Sequence, residues 1–286
     1  MARKKRYVPN QIARSLVMQH SQTLGLVVPN IESRFFSSLA RNLEIRCRER
    51  GYCLFITNSD DSRSNDAELV RLLVNRGVDA LLLVVSDESP ADDDLTGMLM
   101  QLPVPYVMVD RSITGFACDK VGFDHEMGGY LATSHLLEHG HRRIACLVNR
   151  GSNTGRCRLA GFERAMREHG VEPDPALELD SAYYIDAAFE ASACLIGSDA
   201  TAVFASSDNI ALGLLKRLYA NGLRVPRDLS VVSYDNSATD ELFEPALELL
   251  FARLAEDSAG GDEERSDPRS RVLTPRLVLK DSVRDL

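Results

Sequence analysis

The chain has 286 residues, 44% hydrophobic and 26% charged, with a net charge of −9. That length suits one large domain or two lobes of ordinary size, and the composition is that of a soluble globular protein. No apolar run is long enough to span a bilayer, and the start, MARKKRYVPN, lacks the apolar stretch and cleavage site of a secretory signal, so the chain is expected in the cytoplasm with no membrane partner.

Charge is distributed unevenly. Residues 1–31 carry Arg3, Lys4, Lys5, Arg6 and Arg14 and no acid, so the remainder is more acidic than the total. A basic arm on an acidic body leaves only the arm suited to a phosphate backbone. The first six residues by themselves read as a solvated terminus. Tyr7-Val8-Pro9-Asn10 then reads as a helix start, because proline presets a helical φ and asparagine caps. Ile12, Ala13, Leu16 and Val17 follow on one face. A helix this short is unstable alone in water and needs a partner.

Past a polar joint, Gln19-His20-Ser21-Gln22, the run Leu24-Gly25-Leu26-Val27-Val28 reads as a buried strand. Glycine closes an amphipathic helix over residues 32–51 and another over 64–77. Strands are predicted at 53–57, 79–85 and 106–109, with a helix at 92–102 stopped by Pro103. A fifth strand over 119–123 ends this half. The rhythm restarts with helices at 126–140, 158–170, 186–196 and 208–222 and strands at 144–148, near Leu177, at 201–205 and at 229–234. Strands recurring about every 25–30 residues with helices between them predict parallel sheets covered on both faces. The fold class is α/β, with two Rossmann-like lobes and a ligand cleft where their strand ends face each other.

Several stretches resemble the LacI/GalR family of bacterial transcription regulators. They are Tyr7, Pro9 and Ala13-Arg14-Ser15-Leu16 with the strand after them; Gly128-Gly129-Tyr130-Leu131-Ala132; Gly140-His141-Arg142-Arg143-Ile144; Arg158-Leu159-Ala160-Gly161-Phe162; Ser207 to Gly213; Val225 to Val232; and Tyr234-Asp235-Asn236. The resemblance covers most of the chain and is nearest the ribose-repressor branch. It implies a periplasmic-binding-protein-like (type I) fold and a hinge helix whose Ile12, Ala13 and Leu16 meet the DNA minor groove, with Leu16 as the wedge. It also implies a first lobe over 23–123 joined by 246–256, a second over 124–245 joined by 271–286, a hinge and link over 7–22 after a basic remnant over 1–6, and an exposed acidic loop over 257–270. The pattern breaks after Pro245, where a family segment that supplies a first-lobe strand and a cleft-closing side chain is absent. A helix-turn-helix head would stand before Tyr7, where six residues are present.

By position, the resemblance places effector contacts at Phe35, Phe36, Asp110, Thr154, Arg158, Tyr183, Asp208 and Asp235. These types suit a sugar, since carboxylates and arginine bond hydroxyls and aromatic faces cover C–H groups. Asp110 and Asp235 each end an apolar strand, where a parallel sheet presents polar groups to its cleft; a turn or a helix cap is the plainer use of such an aspartate. Phe35 and Phe36 fit a core helix equally well. Ser207 stands where the family often has asparagine, which leaves the ligand's identity open.

His135, His139 and His141 lack the H-E-x-x-H pattern and a carboxylate ligand, so no metal is expected. Gly151 to Gly155 lacks the ending of a phosphate loop, and no G-x-S-x-G elbow is present, so neither enzyme nor cofactor is read. The six cysteines, at 47, 53, 118, 146, 157 and 194, form no C-x-x-C pair. The reading is therefore the effector-binding and dimerising core of a sugar-responsive regulator, with operator DNA reached through a head. The alternatives are a transport-type sugar-binding protein, which needs export, and a truncated remnant.

Sequence-selective DNA binding relies on side chains that reach base edges. A basic arm supplies phosphate contacts and a hinge helix a minor-groove wedge, and neither reads base edges in the major groove. A polypeptide of residues 1–286 is thus expected to show weak, salt-sensitive association in a gel-shift assay; nanomolar, sequence-selective binding would overturn that expectation.

Overall fold

The structure, a computed structural model, describes residues 20–86, 94–236, 240–258 and 267–286. The expected hinge helix with Ile12, Ala13 and Leu16 lies outside the described residues, as do residues 1–6. Of the link, His20 to Gln22 are described. Ser21 donates to the Asp79 carboxylate through its backbone N–H at 2.7 Å and its hydroxyl at 3.0 Å.

The first lobe runs β1 (Thr23–Val28), α1 (Arg34–Glu49), β2 (Cys53–Asn58), α2 (Arg63–Asn75), β3 (Ala80–Leu83), α3 (Asp94–Met100), β4 (Tyr106–Val109) and β5 (Lys120–Phe123). The second runs α4 (His125–Glu138), β6 (Ile144–Val148), α5 (Asn153–Glu168), β7 (Glu178–Asp180), α6 (Ile185–Ala191), β8 (Ala202–Ala205), α7 (Asp208–Ala220) and β9 (Ser230–Ser233). The chain then forms α8 (Asp240–Ser258) and β10 (Ser270–Leu273). One six-stranded sheet has the order β10-β5-β4-β3-β1-β2 and a four-stranded sheet the order β7-β6-β8-β9, parallel throughout.

Successive strand side chains point to opposite faces. Leu24, Leu26, Val28 and Leu82 pack under α1 and α8, while Val27, Leu81, Leu83 and Met108 pack under α2 and α3. In the second lobe Cys146 and Val148 face α4 and α5, and Ala145 and Leu147 face α6 and α7. Burial on both faces explains why these strands read as unbroken apolar runs.

Helices α4 and α5 meet backbone to backbone. A Cβ on Gly129 would overlap the Arg158 carbonyl oxygen, and one on Gly161 the Glu126 carbonyl oxygen. Only glycine permits this approach, and it sets Arg158 beside the first turn of α4.

The structure corrects several expected boundaries. Helix α5 begins at Asn153, earlier than the predicted Arg158, because the Ser152 hydroxyl caps it by accepting from the Gly155 N–H at 3.1 Å. This puts Thr154 and Arg158 one turn apart on one face. Helix α6 ends at Ala191 and passes into a 3₁₀ turn over Ser192–Leu195. The return to the first lobe starts before 246, since Leu242 and Phe243 already lie in its core, and Pro245 falls in the second turn of α8. Residues 271–286 do not return to the second lobe as one piece. Ser270–Leu273 pairs with β5 of the first sheet, while the Ser282 carbonyl accepts from the Val231 N–H of the second at 2.9 Å. The free side of β5 offered unpaired backbone groups, and β10 satisfies them. Of the expected acidic loop, residues 257 and 258 are helical, Ser270 opens β10, and 259–266 lie outside the described residues.

Candidate functional site

The carboxyl ends of the two sheets face each other across a narrow cleft. Its walls include Phe35, Phe36, Asp61, Asp110 and Arg111 from the first lobe and Thr154, Arg158, Tyr183 and Asp235 from the second. Seven of the eight positions expected to contact effector thus come together. The eighth, Asp208, opens α7 after its Ser207 cap and lines an adjoining cavity with Phe35, Asp110 and Asp235. Phe35 and Phe36 belong both to the core and to the cleft wall.

Arg158 is the centre of the site, with a side chain 6% exposed. Its Nη1 donates to the Ser206 carbonyl at 2.6 Å, its Nη2 lies 3.8 Å from the Asp235 carboxylate, and its guanidinium stacks 3.7 Å above the Tyr234 ring. Nη2 also approaches His125 Nδ1 at 3.2 Å, and the Tyr234 hydroxyl approaches the same nitrogen at 3.2 Å. Arginine can only donate, so Nδ1 accepts and the imidazole proton sits on Nε2. That nitrogen faces Asp110, 3.4 Å from its backbone carbonyl and 3.9 Å from its carboxylate. His125 therefore bridges the two sides of the cleft.

Burial works against the Arg158 charge, but Tyr183, Tyr234, Asp235 and Asp110 outweigh it and raise its pKa. Burial is also the main reason that Asp235 is pushed up to about 6, with Arg158 pulling it down and Asp208 and Asp110 adding to the rise. Asp110 and Asp235 both adopt left-handed backbones, φ 63° and 78°. Aspartate tolerates this region better than most residues, at a cost that tends to gather at functional sites.

Around this centre, Thr154 Oγ1 and the Tyr183 hydroxyl lie 3.1 Å apart and both contact the Ser152 hydroxyl, at 2.7 and 3.0 Å. Arg111 pairs with Asp61 at 2.6 Å, and its guanidinium sits between the Phe36 ring at 5.3 Å and the Tyr183 ring at 5.2 Å. Sequence reasoning missed His125, Tyr234, Arg111 and Asp61. A histidine in the first turn after a capping Asp124, and an arginine directly after the strand-ending Asp110, are the signals that were available.

His141 shows no metal geometry: Nδ1 meets Thr201 Oγ1 at 2.9 Å and Nε2 the Arg284 carbonyl at 3.1 Å. Among the described residues no group of histidine, cysteine, aspartate and glutamate has metal-holding geometry, and the six cysteines form no disulfide. No helix among them is long and apolar enough to cross a membrane.

Two parallel-sheet lobes with a polar cleft at their strand ends define a binding protein of the periplasmic-binding-protein type, and a family profile described as periplasmic binding protein-like domain matches residues 133–283. The HTH-type transcriptional repressor PurR of Vibrio vulnificus (strain CMCP6) is 31% identical over 306 aligned residues, covering 98% of this chain and 86% of the repressor. The transcriptional regulator CelR, solved with cellobiose, superposes with a TM-score of 0.78 at 27% identity over 95% of this chain and 89% of its own. A LacI family transcriptional regulator from Enterococcus faecium with bound ribose gives 0.78 at 28% identity over 92% and 99%. The chain belongs to the LacI/GalR family of transcriptional regulators.

The raised Asp235 pKa carries a sign. A carboxyl titrating higher in the folded than in the unfolded chain costs stability when ionised, fully above about 6 and not at all below the ordinary carboxylate range. Asp235→Asn is expected to stabilise the protein at about pH 7.5, on the order of 1–3 kcal/mol, and to change little at about pH 4. Urea unfolding at both pH values checks this; a loss of stability at the higher pH would mean that the Arg158 pairing dominates.

Proposed function

We propose that the cleft binds a small sugar or related polyol and that this ligand sets the operator affinity of a cytoplasmic, dimeric regulator. The observation that carries the reading is the convergence of Arg158, Asp110 and Asp235 on one buried space. Arg158 Nε is a buried donor without a partner among the described residues. His125 Nε2 lies 3.9 Å from the Asp110 carboxylate, beyond hydrogen-bond length. Sugar hydroxyls both donate and accept, so one ring satisfies both groups. Phe36 and Tyr183 supply flat apolar faces from opposite lobes, and the two similar structures with bound cellobiose and ribose favour the same class. The named relatives are transcriptional regulators, which favours regulation over transport or catalysis.

The cleft leaves a space of about 30 Å³, room for a water but not a sugar. Entry therefore requires the lobes to part and Arg111 to leave its place between Phe36 and Tyr183. Reclosure around ligand shifts the population of lobe arrangements, and linkage carries that shift to operator affinity.

Calorimetry against pentoses and hexoses is expected to find a binder. Asp235→Ala should weaken it by roughly 1–3 kcal/mol through loss of a buried hydrogen-bond partner. Affinity unchanged by Asp235→Ala would remove the site, and no binding by any sugar would favour the remnant reading.

Dimerisation fits the outer edge of the first sheet. There β2 exposes Phe55 and Ile56 at 45% and 42%, and Leu72 of α2 is 44% exposed. An open edge strand with apolar side chains invites a partner strand. Sedimentation at micromolar concentration should show a dimer that Phe55→Asp with Ile56→Lys dissociates; a wild-type monomer throughout would refute this.

A further inference from the structure

Asp110 and Asp235 border a second space besides the cleft. A cavity of about 540 Å³ opens between α4, α7, β9 and the strap of residues 275–283. It shares Phe35, Asp110 and Asp235 with the cleft but not Phe36, Thr154, Arg158 or Tyr183. Its size is that of small-molecule sites, which run to roughly 300–1,000 Å³. Leu131, Leu215, Val232 and Leu277 make an apolar body to the cavity. Strand β9 is the last of its sheet, and the Val231 bond to Ser282 is the one backbone hydrogen bond tethering the strap to it among the described residues. Beyond that bond and Val283, which packs on the core with Val232 and Tyr234, the strap leaves the space open.

One end of the cavity is acidic. Asp110, Asp208 and Asp235 lie there, with Glu241 and Asp281 further round the wall. The cations on the wall are Arg276, which pairs with Glu241, and Lys280, which donates to the Asn236 side chain at 2.7 Å. Neither meets the inner aspartates in an ion pair. The Asp110 side chain is 6% exposed, and its carboxylate lies 3.9 Å from His125 Nε2, beyond hydrogen-bond length. A largely buried carboxylate at the end of an apolar cavity lies in a low-dielectric setting, where a cation gains most.

We propose that this cavity is a second ligand site for a small amphiphilic amine. The ammonium lies against Asp110 and Asp235 and the apolar body runs along Leu131, Leu215 and Val232. Because the same two carboxylates serve the cleft, occupation of the cavity alters cleft affinity, and the reverse holds by linkage. The assignment stands on the cavity itself and does not require the cleft ligand to be a sugar.

The test titrates residues 1–286 with 2-phenylethylamine and hexylamine, beside the neutral 2-phenylethanol, by calorimetry. Both amines should bind, with the alcohol at least about tenfold weaker. Leu215→Trp, which fills the cavity, should weaken the amines by at least about tenfold, whereas Tyr183→Ala in the cleft should change them little. Circular dichroism checks that Leu215→Trp folds, and Leu131→Trp replaces it if not. No amine binding, equal binding of the alcohol, or loss with Tyr183→Ala but not with the filling variants would each overturn the proposal. The last outcome would place the amine in the cleft. A sugar that binds while amines do not would leave the cleft reading standing alone.

Discussion

A guanidinium almost wholly removed from water must be surrounded by acceptors and counter-charge, or it is not tolerated. Arg158 imposes that requirement on four different parts of the chain. The Ser206 carbonyl comes from the end of β8, Tyr234 and Asp235 from the end of β9, His125 from the head of α4, and Asp110 from across the cleft through His125. None of these groups is close to Arg158 in sequence, so their meeting depends on where α5 lies. That is fixed by Gly129 and Gly161, whose missing Cβ atoms allow α4 and α5 to touch by their backbones. The small residues in the helices and the large charge in the cleft are thus one arrangement.

The same centre explains the unusual backbone at two strand ends. Asp110 directly after β4 and Asp235 two residues after β9 turn into left-handed conformations, with their carboxylates in the space beside Arg158 and His125. Burial, with the neighbouring Asp208 and Asp110 charges adding to it, is why Asp235 titrates high. An arrangement that sacrifices stability in this way is expected of a site built for binding rather than for holding the fold.

What was legible in the sequence follows from what each element relies on. Buried parallel strands such as Leu24 to Val28 and Ile144 to Val148 announce themselves, because burial on both faces demands unbroken apolar runs. The strand-end aspartates were legible for the same reason, being the first polar residues after such runs. β10 was not located correctly: three of the four residues of Ser270–Leu273 are exposed, so no apolar pattern marks them, and β5 alone makes them a strand. His125 and Arg111 were missed because their roles are set by approach in three dimensions. One reads as an ordinary first-turn residue and the other as a loop cation, until folding brings Arg158 to His125 and Tyr183 of the second lobe to Arg111. Positions such as Thr154 and Tyr183 came from family resemblance, not from periodicity, and Thr154 acquires its physical sense only once α5 is seen to start at Asn153.

The link and the cleft lie at opposite ends of the first sheet. His20 to Gln22 enter at the amino end of β1, where Ser21 is held by Asp79 just before β3 and the Gln22 carbonyl accepts from the Cys53 N–H at 2.9 Å. The cleft lies past the carboxyl ends of β1, β2 and β4, at Asn30, Asp61 and Asp110. Between the two stand Leu24, Leu26, Val27, Leu81, Leu82 and Leu83, all fully buried. A packed layer of this kind does not deform gradually, so an event at one end reaches the other as movement of the whole lobe. With the link clamped to the lobe at its amino end, any rotation that opens or closes the cleft must carry residues 20–22 with it. Coupling between ligand and link therefore needs no chain of side chains through the sheet; it needs a lobe rigid enough to turn as one body.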